Sequence, residues 1–389
     1  MLNKFPKDLQ EEIQKIANLL SPYTNRAYLV GGCVRDILLN NIIKDLDIEV
    51  YDIAPEDFDK IMQKNEAIGV GKSFFVYKID DIDLSLPRIE RKVGVGHKAF
   101  EVEITDDEKV ASKRRDFTMN AMMINIFDGQ LLDLWDGQRS LEKKEIKLID
   151  EESFKEDSLR VLRAIQFSAR FGFNIEDKTL EVMRKIDLDD LSKTRIFWEF
   201  EKLFKAEFLA LGFVYMYRLN IFEKVFTCKV KNQHIEAELK QAYKGFVEDL
   251  KEYYFLYIVA NMSGFNPYEW AKKLEAPNHY LRAYKNQTFT CKTLNDKELI
   301  MIAIDIPIKL WLGNYKKNVK EQAKRLDIWD EVYDGGIDIQ DVIKDGFEKE
   351  NIKIEYKRRV IKQINTCNID VESKSKKICN KLRICGTIS

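Results

Sequence analysis

The sequence predicts an α+β chain: a mixed-sheet domain over residues 1–150, then helices throughout. Two observations carry this. Short β-like runs fill the first 150 residues, and from Phe154 onward the apolar spacing switches to a period of 3.6 and keeps it. A third bounds the whole. At 389 residues and 45% hydrophobic content the chain is long enough for two or three domains with real cores.

Along the chain, Leu9, Ile13, Ile16 and Leu20 share one helical face, interrupted by charge. That is a docked amphipathic helix and not a secretory signal. Tyr28–Tyr51 (YLVGGCVRDILLNNIIKDLDIEVY) then reads as strand, glycine turn, helix, strand. Paired glycines after a strand let backbone N–H groups approach an anion, and Arg35 one turn later supplies a charged fork for phosphate. Asp45 and Asp47 are two apart along an extended segment and project to one side. Two adjacent carboxylates suit a cation, and Mg²⁺ takes carboxylates together with substrate phosphates. The competing reading is a capped, solvated loop.

Ile53–Asn65 is a predicted helix with Pro55 near its start. The run Gly69-Val70-Gly71-Lys72-Ser73 fails as a phosphate loop, because Glu66 stands where the first glycine is required; it reads as a turn between strands. Phe74–Ile79 and Ile82–Leu86 are β-like, and Asp83 on the second is either a third carboxylate beside Asp45 and Asp47 or a solvent-facing edge residue. Pro87–Phe100 is basic, glycine-bearing and loop-like, and a strand resumes at Glu101. Asp128-Gly129 between apolar runs marks a hairpin. Arg114-Arg115-Asp116 is either a solvated charge run or part of a site.

In the helical part, Glu156 opens a helix running to Arg170 and ending at Phe171-Gly172. Asp157 and Arg160 lie one turn apart there. They form either a surface ion pair or a donor–acceptor edge for a nucleobase. Ser192 is a predicted cap for the helix bearing Arg195 and Trp198, and Asn266-Pro267 opens another. Tyr253, Tyr254, Phe255 and Tyr257 read as core aromatics. The C-terminal Lys374, Lys376, Lys377, Lys381 and Arg383 read as a solvated basic tail.

The formal net charge of -1 excludes a globally basic nucleic-acid binder, so any such contact is a local patch. Six cysteines without CxxC spacing read as reduced thiols of a cytoplasmic protein. No apolar run approaches the ~20 residues that span a bilayer. The three histidines are far apart, which excludes a local His-Asp metal cluster.

Taken together these motifs resemble the class II tRNA nucleotidyltransferases, the CCA-adding enzymes and bacterial poly(A) polymerases. GGCVRD with DLD resembles the nucleotidyltransferase signature, and RRDFTMNAM the ribose-reading motif. DLWDGQRSL is similar to the joint between head and neck, EDSLRVLR to the protein template for CTP or ATP, and TRIFWEFEKLF to the last neck motif. The resemblance covers about residues 27–205. It implies a catalytic head (1–150), a nucleotide-selecting helical neck (151–215) and a helical body and tail (216–389) that binds tRNA. It implies Mg²⁺ on Asp45 and Asp47; Asp83 is a candidate third ligand from its place on the neighbouring β-like run alone. Gly32, Arg35, Arg115 and Asp116 would meet the triphosphate and sugar, and Asp157 and Arg160 the base, with Arg163 nearby. Partners would be the tRNA 3′ end, ATP and CTP, with no membrane; the oligomeric state stays open.

Departures are Gln166 for a frequent arginine, Thr194 for a glutamate before Arg195, and Asn40 for a glycine. The Pro87–Phe100 loop resembles one that CC-only enzymes lack, which favours addition of the terminal A. A-only or CC-only addition, poly(A) synthesis and a non-catalytic RNA-binding paralogue are the alternatives.

Overall fold

The computed structural model describes residues 1–71, 75–92, 100–231 and 234–366. The chain forms two compact units: Met1–Glu199 with Arg218–Val225, and Phe200–Tyr217 with Phe226 onward.

The first unit is built on a seven-stranded sheet. Its strands are β1 (Ala27–Val30), β2 (Leu46–Val50), β3 (Ile68–Gly71), β4 (Val76–Ile79), β5 (Ile82–Ser85), β8 (Met123–Asn125) and β9 (Leu131–Leu132), in the spatial order β3-β4-β5-β2-β1-β8-β9. β6 (Arg88–Lys92) and β7 (Phe100–Ile104) form a separate antiparallel pair. Only β2 and β5 run parallel within the large sheet, because helix α3 (Pro55–Lys64) and the β3–β4 hairpin provide the crossover between them.

Period-two alternation decides the faces. Ala27, Leu29, Leu46, Ile48, Ile82, Leu84 and Ile124 point into a core shared with α1 (Lys7–Leu20), α2 (Gly32–Leu38) and α3. Helix α1 contributes Ile13, Ile16, Ala17 and Leu20, the expected stripe with Leu9 at its margin. Each fully buried aliphatic side chain contributes roughly 1.5–3 kcal/mol. Tyr28, Val30, Tyr51 and Met123 take the opposite face, where Ala111 of α4 (Glu108–Lys113) packs on them. Asp47, Glu49 and Asp83 therefore also belong to that second face.

Two expectations are corrected here. Ile68–Gly71 is an edge strand and not merely a turn, and the basic run from Pro87 contributes strand β6 before residues 93–99, which lie outside the described residues with Lys72. The predicted Asp128-Gly129 hairpin joins β8 to β9, with Gly129 at φ +70°. Asn40 takes φ +55°, a conformation asparagine tolerates, which explains why glycine is dispensable there.

After the sheet come α5 (Gly137–Glu142), the parallel pair β10 (Glu145–Ile146) and β11 (Asn174–Ile175), α6 (Glu151–Lys155), α7 (Leu159–Phe171), α8 (Asp177–Arg184) and α9 (Lys193–Phe204). The helix expected to begin at Glu156 begins at Leu159, because Glu156 ends α6. At Gly137 an added Cβ would lie 2.5 Å from the Thr118 carbonyl and 2.6 Å from Met122 Cγ, so only glycine permits this close approach.

The second unit is helical. Asn266 caps Pro267–Lys273 as predicted, and Asn295 with Glu298 forms a full capping box on Asp296–Ala303. Tyr254, Phe255 and Tyr257 are fully buried, as expected of core aromatics. A further core gathers Leu299, Ile308, Trp311, Ile328 and Val360. The basic C-terminal segment lies outside the described residues. Among the described residues no helix is long and apolar enough to cross a membrane.

Candidate active site

The site begins where β1 stops. Gly31 has φ +74° and ψ −128°, a backbone state that needs glycine, and the position of a Cβ there would be 3.9 Å from Asp47 Oδ2. The glycine turn thus sits directly beside the first acidic side chain of β2. Asp45 is exposed one residue before the strand, Asp47 is exposed on it, and Leu46 and Ile48 between and after them are buried.

Parallel pairing sets Asp47 opposite Asp83 on β5, so the third carboxylate joins the pair and is not an isolated edge residue. Desolvation by surrounding protein, then repulsion from Asp83, push the Asp47 carboxyl up to about 6; Arg115 opposes this and Asp45 adds to it. Among the described residues no three His, Cys, Asp or Glu side chains converge into a preformed metal cage. The donor set nevertheless fits Mg²⁺, a hard ion that takes one or two carboxylates and completes its shell with water and substrate phosphates.

Glu49 lies on the same strand face and is 1% exposed. Its Oε1 accepts from Arg114 at 2.8 Å and Arg115 at 2.5 Å, and its Oε2 accepts from the Tyr51 hydroxyl at 3.1 Å. Burial raises its pKa, but the two guanidinium groups outweigh that and hold it below the usual carboxylate range. Arg114-Arg115 is therefore tied to a buried carboxylate and is not a solvated run. Arg115 NH1 is buried and has no hydrogen-bond partner among the described residues.

Arg35 is buried too. It donates from Nε and NH2 to the two oxygens of Asp36 at 3.0 and 2.8 Å, and from NH1 to Asn120 Oδ1 at 2.7 Å. Its guanidinium carbon sits 4.7 Å from the Phe171 ring centroid and 5.2 Å from that of Phe167. Asn120 in turn donates to Asp116 Oδ1 at 2.8 Å, and Arg163 donates to Asp116 Oδ2 at 2.7 Å. A continuous polar chain, Asp36–Arg35–Asn120–Asp116–Arg163, thus joins α2 to α7. Burial raises the Asp116 pKa, and Arg163 with Asn120 more than reverses it.

Asp157 and Arg160 make no side-chain pair with each other. Both Asp157 oxygens accept from Arg195 NH2 at 3.2 Å, across from α9, whose first turn is capped by the Ser192 hydroxyl accepting from Arg195 N. Arg160 donates to the carbonyls of Ser153, at 2.6 Å, and Arg114. Asp47 lies beside the glycine turn and opposite Asp83, with Asp45 and Arg115 acting on it electrostatically. Arg35, Asp116 and Arg163 form the chain to α7, and Asp157 and Arg160 stand at its start. Glu49, Asn120 and the Arg195 pairing were not foreseen.

The sequence matches the "Poly A polymerase head domain" over residues 27–147 and the "Probable RNA and SrmB- binding site of polymerase A" over 172–228. Over these stretches the chain is similar to class II tRNA nucleotidyltransferases of the CCA-adding and poly(A) polymerase kind. Among similar proteins, a Streptococcus agalactiae CCA-adding enzyme is 29% identical over 285 residues, 72% of this chain and 70% of that protein. A Haemophilus ducreyi multifunctional CCA protein is 35% identical over 202 residues, 50% of this chain and 48% of that protein. The fold is that of a Thermotoga maritima CCA-adding enzyme complexed with tRNA: TM-score 0.63, 18% identity, 98% of this chain and 96% of that one.

Proposed function

We propose that this chain adds C, C and A to the 3′ end of tRNA, using CTP and ATP and releasing pyrophosphate. The observation that carries the reading is the register of Asp47 against Asp83 beside the Gly31-Gly32 turn, because it gathers acids where a triphosphate would enter. The relatives named as a CCA-adding enzyme and a multifunctional CCA protein support the substrate.

Asp45 and Asp47 would hold two Mg²⁺, with Asp83 as the additional oxygen donor; when bound, one ion would supply activation of the primer 3′-OH and the other stabilisation of the α-phosphate and the leaving pyrophosphate. The protein's own part is positioning. Gly32 backbone N–H and the free N–H of Arg115 would meet phosphate oxygens. Arg35 is already committed to Asp36 and Asn120, so its role is to orient the turn and lend positive potential. Asp116, with two oxygens fixed by Asn120 and Arg163, would face the sugar.

The base edge would be read by Asp157 and Arg160. Each carboxylate oxygen has a second lone pair, so Asp157 can accept from an exocyclic amine while Arg195 holds it in place. Head and neck would be residues 1–150 and 151–215, with the body and tail, 216–389, gripping RNA by backbone and shape in the cytoplasm.

The test is incubation of purified protein with tRNAs ending before, within and after CCA, offering each NTP separately. The expected result is two C additions, one A, then a stop. A second reading, poly(A) polymerase, follows from the head-domain match; unbounded ATP-only extension of generic RNA would establish it instead. A-only or CC-only incorporation would narrow the assignment, and no incorporation on any substrate would overturn it.

A further inference from the structure

Glu49 stands two residues beyond Asp47 on the same strand face, yet it contacts none of the groups that would touch substrate except through arginine. It is 1% exposed, opposite Ser85 on β5 and Tyr28 on β1. A buried carboxylate persists only when paired and hydrogen-bonded, and Glu49 is: Arg114 and Arg115 share Oε1, and Tyr51 holds Oε2.

Its partner Arg115 is in a different condition. Only 12% of its side chain is exposed, its NH2 is bound to Glu49, and its NH1 is buried without a partner among the described residues. Asp47 stands two residues from Glu49 on the same face of β2, so the guanidinium held on Glu49 sits on the side of the strand that carries Asp47. An arginine in this position has two choices of anion. Without Glu49 it would turn to Asp47, cancelling the acid and losing its own availability.

We propose that Glu49 is a positioning residue for nucleotide binding: it occupies one arm of Arg115, keeps that guanidinium off Asp47, and leaves the NH1 arm for the phosphates of the incoming nucleoside triphosphate. This rests on the nucleotidyltransferase reading. A guanidinium held on one side by a fixed carboxylate loses little freedom on binding a phosphate, so the benefit falls on nucleotide affinity.

The experiment is a double-mutant cycle of Glu49→Gln and Arg115→Ala, with steady-state incorporation from CTP and ATP and direct CTP binding without tRNA. Gln keeps the shape of Glu49 and removes its charge. Expected for Glu49→Gln is at least a tenfold rise in KM for both nucleotides with kcat within about threefold, and a matching loss of CTP affinity. In the Arg115→Ala background, Glu49→Gln should add less than twofold, because its effect runs through Arg115. Unchanged KM in a folded Glu49→Gln protein, or effects that multiply in the double variant, would overturn the proposal.

Should Glu49→Gln fail to fold, Tyr51→Phe decides: it removes one restraint on Glu49 without removing charge. It should raise KM several-fold, and an unchanged KM would overturn the proposal. A wild-type protein that incorporates no nucleotide would instead sink the function itself, so the two failures are distinguishable.

Discussion

Replacing Asp116 by Asn tests the polar chain between α2 and α7 most sharply. The Oδ1 bonds from Asn120 (2.8 Å) and the Phe117 amide (2.9 Å) can survive, but the new amide nitrogen would face the Arg163 N–H now 2.7 Å from Oδ2. Breaking a buried pair by removing one partner costs about 3–5 kcal/mol. Arg163 is 33% exposed, so water can re-solvate it, and the expected loss falls to about 1.5–3 kcal/mol. Hydrogen exchange of peptides covering α7 measures this locally: protection should drop roughly ten- to hundredfold at neutral pH. The pH dependence follows from sign. Arg163 and Asn120, overcoming burial, hold the Asp116 carboxyl below its usual value. Its stabilisation is therefore complete above the unfolded carboxylate pKa of about 3.9 and is lost as pH falls through the lower folded value. The gap between wild type and variant should stay level down to about pH 5 and close below about pH 4. A loss of protection under threefold at neutral pH, or a gap that widens on acidification, would refute the reasoning.

Asp47→Asn should lower incorporation by more than about a thousandfold while leaving melting unchanged or slightly raised, since it relieves repulsion with Asp83; thermal unfolding alongside the assay checks both. Asp157→Ala should blur the choice between CTP and ATP by about 1–3 kcal/mol of discrimination, read as the ratio of kcat/KM values; an intact ratio would remove Asp157 from base reading. Gly137→Ala forces a methyl against the Thr118 carbonyl and should cost about 1–3 kcal/mol, roughly 2–10 °C in Tm. An unaltered melting curve would mean the turn moves freely.

Much of the site was legible because it lies within single elements. Strand alternation put Asp45 and Asp47 on one side, the structure buries Leu46 and Ile48 on the other, and the glycine pair announced the turn. What escaped depends on partners distant in sequence. Nothing local distinguishes Glu49 from a solvent-facing strand residue; the first of its arginines, Arg114, arrives 65 residues later. Asp157 and Arg160 have ideal i,i+3 spacing for each other, yet Arg195, 38 residues on, takes the carboxylate. The Ile68–Gly71 strand hid behind two glycines, and the β6 strand behind a run of charge, because edge positions tolerate what central strands do not.

The linkage from Asp36 to Arg163 also limits how this enzyme can be taken apart. A chimera joined at residue 150 would give the sheet domain a foreign α7, stranding Asp116 without its guanidinium and Arg35 without its phenyl stack. Exchange of modules with relatives should succeed only when the seam falls beyond Phe171, so that both helices travel as one inherited piece.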